Sequence, residues 1–292
     1  MTERLARFVS PVWLGLAAVA VILVSMTYHP ARAASEAAPV EKMEWTFAGP
    51  FGYYDQDQLR RGFKVYSQVC ASCHGMRFLH YRDLMDPSGP NLPEDQVEAI
   101  ASQYTVTDGP NDQGDMFERP ATIHDRFVDP YRNDKEAALV NNGVVPPDMS
   151  LIAQARGPAS DVAWYMSPVA IAEDLLTMYA EGGPDYIHAL LTGYKQPPED
   201  VELSPGAYYN VVYPGKQIAM PQPIYPDSVP YPDGVPTTVD QYSKDVTAFL
   251  MWASEPNLEE RKQMGAKVML YLFILAGLLY MSKRLLWKRI KH

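Results

Sequence analysis

Both cysteines of this 292-residue chain lie in the stretch VCASCHGM, residues 69–76, and His74 follows Cys73 directly. Two thiols and an imidazole at this spacing admit four kinds of chemistry. A disulfide between Cys70 and Cys73 leaves His74 without a role. A thioredoxin-type redox pair belongs at a strand-to-helix junction, whereas the preceding KVYSQV reads as helix. A four-ligand zinc site needs more ligands, and His29, His80, His124, His188 and His292 do not form the paired spacing of such sites. Covalent haem attachment, with the signature C-x-x-C-H, uses all three residues. On a helix, positions i and i+3 share a face and i+4 lies beside them. Cys70 and Cys73 then reach two vinyl groups on one porphyrin edge, and His74 is carried toward the iron as the proximal ligand.

The iron has a second axial position. Methionine there suits electron transfer, and an open position suits ligand binding or catalysis. His80 is too close along the chain to reach the opposite face, which leaves His124 and His188 as histidine alternatives. Two of the 14 methionines sit in proline-flanked loops that can fix a thioether: Met149 in PPDMS and Met220 in IAMPQP. Spacing alone does not choose between them.

The elements that must place these groups are mostly helical. Leu59, Phe63, Tyr66 and Cys70 recur at helical spacing before the motif, with Gly62 suited to a close helix contact. Residues 86–95, 107–120, 141–150 and 205–234 read as turn-rich or extended loops. Residues 162–183 read as short helical material ending at Gly182-Gly183, and residues 184–194 as a helix with Tyr186, Ala189 and Leu190 on one face. The clearest helix lies in residues 237–256. Thr237 or Thr238 caps it, Val239, Tyr242, Val246, Phe249 and Leu250 form its stripe, and Pro256 ends it. Strand signals are sparse. The expected fold class is mainly α: a cytochrome c-like single-haem domain with long loops, plus one C-terminal transmembrane helix.

The two ends point to a membrane. Residues 1–33 carry Arg4 and Arg7, an apolar stretch from Val12 to Met26 and an Ala-Arg-Ala site, the pattern of a bacterial signal peptide cleaved after Ala33 or Ala34. Residues 264–287 form the expected anchor, with Val268 to Met281 uninterrupted by charge, Lys267 able to snorkel and Trp287 at an interface. The basic cluster from Lys283 to Lys291 keeps residues 288–292 in the cytoplasm, and residues 34–263 become a periplasmic haem domain. That domain holds 34 of the 35 acidic residues and 16 of the 25 basic ones, a formal charge of −18. Such a charge disfavours nucleic acid and favours a basic protein partner.

Several blocks together resemble the cytochrome c1 family: FGYYDQDQLRRGFKVYSQVCASCHGM, VVPPDMSLIAQARG, DYIHALLTGY, IAMPQPIY and DVTAFLMWASEPNLEERKQMG, followed by an anchor. They run in order from about Trp45 to the C-terminus. The resemblance implies one covalently bound haem c on Cys70 and Cys73, with His74 proximal and Met220 distal, so that Met149 becomes an apolar packing residue. It further implies that Arg156 pairs with a propionate and that Tyr186 lines the pocket. Asn141, Asn142, Pro146 and Pro147 would wrap the proximal side, with a proline carbonyl accepting the free N–H of His74.

The implied role is the electron-transfer subunit of the cytochrome bc1 complex, with no bond chemistry of its own. Electrons would come from the Rieske iron–sulfur protein and pass to a cytochrome c, with cytochrome b beside the anchor in the inner membrane. The alternative is an independent membrane-anchored carrier serving another oxidase or reductase. There are departures from the family pattern. Gln222 stands in MPQP where many relatives have proline or alanine, the extra cysteine pair of some bacterial relatives is missing, and residues 157–183 are longer than in mitochondrial relatives.

Overall fold

The structure, a computed structural model, describes residues 38–158 and 181–288. The signal segment, most of residues 157–183 and all of the C-terminal tail but Lys288 therefore lie outside the described residues. Helix α1 spans Gln56–Gln68. The Asp55 carboxylate accepts the Gln58 peptide N–H and so caps it, and Leu59, Gly62, Phe63, Val65 and Tyr66 are its buried face. A 3-10 turn follows at Cys70–Ser72 and another at Tyr81–Met85. Helix α2 is Glu94–Ala101, and strands β1 (Thr105–Asp108) and β2 (Phe117–Pro120) pair antiparallel, with Val106 opposite Arg119. Helix α3 is Asp134–Val140 and α4 is the single turn Ile152–Ala155. Helix α5 is Gly182–Thr192, and β3 (Tyr208–Tyr209) pairs with β4 (Gln217–Ile218). Helix α6 is Val239–Ser254 and α7 is Leu258–Trp287.

Among the described residues the fold is mainly helical, with two small hairpins, one across residues 105–120 and one across 208–218, where the sequence suggests mostly loop. The core forms where α1 crosses α6, with α4 and α5 also packed against α6 and against each other. Gly62 makes the crossing possible. A Cβ placed on it would stand 2.0 Å from the Asp245 carbonyl oxygen and 2.7 Å from Phe249 Cβ. Beside this contact Phe63 and Tyr66 pack on Phe249, with ring centroids 5.6 and 5.8 Å away. Phe127 stacks on Tyr81 at 4.7 Å. Thr238 is the cap of α6, accepting from Gln241 N–H, and Tyr242, Val246, Phe249 and Leu250 are all buried as their spacing requires.

Asp245 is fully buried on this helix. It binds Arg61 of α1 through two contacts, at 2.8 and 3.2 Å, and also accepts from Gln241. A buried carboxylate needs such compensation.

Two sequence expectations change. Gly182 and Gly183 begin a helix rather than end one, because Pro184 falls in the first turn, where a missing N–H is harmless. A Cβ on Gly183 would lie 1.8 Å from the Ala153 carbonyl, so α5 starts in direct contact with α4. The buried face of α5 includes Tyr186, Ile187 and Leu191, while Ala189 and Leu190 are half-buried.

Helix α7 is long and apolar enough to cross a membrane, and none of its most apolar 18-residue window is buried by protein. Phe273 is 70% exposed and Leu270 63%, an arrangement that water does not favour.

Candidate haem site

The motif starts where α1 stops. Val69 N–H closes the last α-turn on Val65, and the chain then tightens, so that the peptide N–H groups of Cys73 and His74 both donate to Cys70 O, at 3.1 and 2.9 Å. The expected continuous helix is thus replaced by a 3-10 turn, a common way to end a helix. Cys70 is buried, Cys73 is half-buried, and both are free thiols. Burial, with the neighbouring Cys73 adding to it, pushes the Cys70 thiol up to about 12.

His74 is buried, and its Nδ1 lies 2.8 Å from the Pro147 carbonyl oxygen. A carbonyl only accepts, so Nδ1 carries the proton and the Nε2 lone pair is directed elsewhere. Burial lowers the His74 pKa below the ordinary histidine value, against the opposing effects of the Pro147 bond and Asp148, which keeps the ring neutral. The Tyr66 hydroxyl donates to the His74 carbonyl at 3.2 Å.

Three residues after Pro147 hold this loop to the motif. Met149 N–H donates to Gly75 O at 2.8 Å, and Phe78 N–H donates to Ser150 Oγ at 3.1 Å. The Asp148 carboxylate accepts from the Arg77 peptide at 2.9 Å, from the Arg77 side chain at 3.2 Å and from Ser150 N–H at 2.9 Å. Burial works to raise the Asp148 pKa, but these hydrogen bonds outweigh it and hold the carboxyl below its usual range. Gly75 lies close under Asp129, and a Cβ there would stand 1.9 Å from Asp129 Oδ1, so this exposed side chain would have to swing aside. Upstream, Asn141 ties to Tyr131 and Ala137, and Asn142 and Gly143 turn the chain with φ of 53° and 84°.

Met220 comes from a separate loop after β4. It is half-buried against the core, and its carbonyl accepts from the Tyr194 hydroxyl at 3.1 Å. Gln222, which departs from the family pattern, bonds the Ile224 carbonyl at 2.9 Å and so closes this loop. Tyr186 is buried on α5. Burial raises its hydroxyl pKa, Tyr213 adds to the rise, and the Arg156 charge opposes both, so Arg156 and Tyr186 act on one locality. Arg156 itself is exposed at the end of α4.

The alternative ligands are placed otherwise. His188 Nε2 is taken by Asp240 at 3.0 Å, His124 is exposed, and Met149 packs on the core from the loop that holds His74. Asp148, Ser150 and Tyr194 were missed in the sequence, and Tyr66 was read as part of the α1 stripe but not as the partner of the His74 carbonyl. Each acts through a backbone group, so neither type nor spacing announced it.

The donor set fits a haem c: two free thiols three residues apart, and a neutral imidazole oriented through Nδ1 with Nε2 left for a metal. Comparison with known proteins agrees. The Cytochrome C1 family profile matches residues 45–290. Cytochrome b/c1 of Bradyrhizobium diazoefficiens is 46% identical over 93% of this chain, which spans only 39% of that longer protein. Cytochrome c1 of Blastochloris viridis is 43% identical over 100% of this chain and 99% of its own length. A mitochondrial cytochrome c1 heme protein of Arabidopsis thaliana is 41% identical over 85% of this chain and 72% of its own. With a profile covering most of its length and relatives of this identity, the chain belongs to the cytochrome c1 family.

Proposed function

We propose that the chain is the electron-transfer subunit of a cytochrome bc1 complex. It takes electrons from the Rieske iron–sulfur protein and delivers them to a cytochrome c. The observation that carries this reading is the His74–Pro147 hydrogen bond beside two free thiols, in a chain of this family.

One covalently bound haem c, when present, supplies a reversible one-electron couple. Cys70 and Cys73 would hold it by their sulfurs, and His74 Nε2 and Met220 sulfur would ligate its iron. The chain's own contribution is rigidity. Pro147 fixes the His74 ring and tautomer, Tyr194 and Gln222 hold the Met220 loop, and the Asp148 network keeps Pro147 in place. Arg156 would neutralise a propionate, and Tyr186 would line the pocket beside it. A ligand set that is held in place needs little reorganisation when its charge changes, which suits a carrier that makes and breaks no bonds. Quinol oxidation belongs to the whole complex.

The arrangement in the membrane follows from the two ends. Residues 1–33 direct export, residues 34–263 form the periplasmic domain, residues 264–287 anchor it and residues 288–292 stay inside. The relative whose name joins b and c1 supports cytochrome b as the neighbour of the anchor. The charge of −18 between the two end segments would draw a basic cytochrome c, an attraction that salt weakens.

The test is a reduced-minus-oxidised spectrum of the protein purified gently from membranes in detergent. Bands of b-type haem beside one c-type band, in a preparation active as a quinol–cytochrome c reductase, are expected. A lone c-type band from well-preserved membranes would return the chain to an independent carrier.

A further inference from the structure

The stretch from Trp45 to Tyr54, WTFAGPFGYY, carries no charged residue, although it lies in the most acidic part of the chain and is flanked by Glu44 and Asp55. It forms a closed loop. Tyr53 N–H donates to Thr46 O at 2.9 Å, Gly52 N–H donates to Gly49 O, and Gly49 takes a φ of 70° at the turn. Trp45, Phe47 and Tyr54 point inward and are buried. The tip does the opposite: Phe51 is 86% exposed and Tyr53 58%.

The loop is fastened to the root of α7. Tyr54 N–H donates to the Glu259 carboxylate at 2.7 Å, and Lys262 Nζ donates to Phe47 O at 2.5 Å. The Phe47 arm thus contacts the helix one turn nearer the apolar run than the Tyr54 arm does. From Lys262 to Val268, where that run becomes continuous, the helix rises only about 9 Å. The headgroup layer on each side of a bilayer is about 5–8 Å deep. The attachment at Lys262 therefore stands near the outer edge of that layer, and an uncharged tip with two exposed aromatics is within reach of the zone where aromatic side chains are enriched.

We propose that the Gly49–Tyr53 tip is a second membrane contact. Phe51 and Tyr53 enter the headgroup layer of the leaflet from which the anchor emerges. The occupant of this apolar surface is lipid, argued from the hydrogen-bonded attachment of the loop to α7. The inference rests on α7 spanning the bilayer. With two contacts, the anchor and the tip, the domain cannot swing freely about a single helix.

The experiment uses the full haem-loaded chain in lipid nanodiscs. In the proposed reading Cys70 and Cys73 are bonded to haem, so an added cysteine is the only reactive thiol. Nitroxide labels are placed in Phe51→Cys, in Tyr53→Cys, in Met116→Cys on the exposed hairpin as an aqueous reference, and in Ala276→Cys within the span. The haem spectrum of each variant confirms folding. Collisions with oxygen, relative to those with a water-soluble nickel chelate, are then compared. A ratio at positions 51 and 53 severalfold above that at 116 and below that at 276 is expected. A ratio at 51 and 53 equal to that at 116, with 276 deep in the bilayer, overturns the tip contact and leaves the anchor standing. An aqueous ratio at 276 overturns both.

Discussion

His74 Nδ1 lies 2.8 Å from the carbonyl oxygen of Pro147, a residue 73 positions further along the chain. That bond fixes which imidazole nitrogen is free, and its acceptor belongs to a loop held by Asp148. The pair is therefore best probed through Asp148. Asp148→Asn keeps the shape and removes the charge that the Arg77 peptide and side chain bind. A loss of about 2 kcal/mol in denaturant unfolding is expected, in line with hydrogen bonds to charged groups.

The same residue gives a dependence on pH. Its folded pKa is depressed, so its contribution is complete above the unfolded carboxylate value of about 3.9 and is lost as pH falls through the lower folded value. Unfolding of the parent protein below about pH 4 should carry this slope. Asp148→Asn should remove that part of it, and an identical acid profile in both proteins would contradict the assignment.

Met220→Ala should leave the haem attached but open its second axial position. The expected signs are a high-spin spectrum and carbon monoxide binding by the reduced variant, neither of which is expected of the parent. Tyr194→Phe removes the hydroxyl bound to the Met220 carbonyl. It should lower stability by about 1 kcal/mol and admit carbon monoxide slowly. A Met220→Ala spectrum unchanged from the parent would discard Met220 as a ligand.

Gly62→Ala should be among the most damaging single-methyl additions in the domain. The added carbon meets the Asp245 carbonyl and Phe249 Cβ, at 2.0 and 2.7 Å, and backbone cannot step aside as a flexible side chain can. A loss of about 1–3 kcal/mol is expected. A thermal midpoint equal to that of the parent would show that α1 and α6 do not cross there.

Arg61→Leu leaves the Asp245 carboxylate buried without its guanidinium partner, with Gln241 still donating to it. Removing one member of a buried pair costs about 3–5 kcal/mol, so unfolding should occur at a clearly lower denaturant concentration. Adding Asp245→Asn to Arg61→Leu should recover part of the loss.

What the sequence reveals is set by range. The stripes of α1 and α6 are local patterns and appear in the structure with Leu59, Phe63 and Tyr66 and with Tyr242, Val246, Phe249 and Leu250 buried, while of the two threonines read as caps Thr238 is the one that caps α6. Cys70, Cys73 and His74 were legible because their chemistry depends on spacing within one turn. The 3-10 form of that turn was not, because the choice between α and 3-10 bonding depends on what packs around it. Asp148 and Ser150 bind groups more than 70 residues away, and polar residues in a loop carry no mark of such partners. Gly182 and Gly183 were read as a stop, since glycine is common past a helix end. The contact with Ala153 that makes glycine necessary at Gly183 lies on another element.

The burial of Cys70 also bears on when its sulfur can react. The finished fold covers this thiol, and burial raises it to about 12, away from the thiolate that reacts. Haem attachment is therefore expected to proceed faster on a chain that has not yet closed around Cys70 than on one already folded.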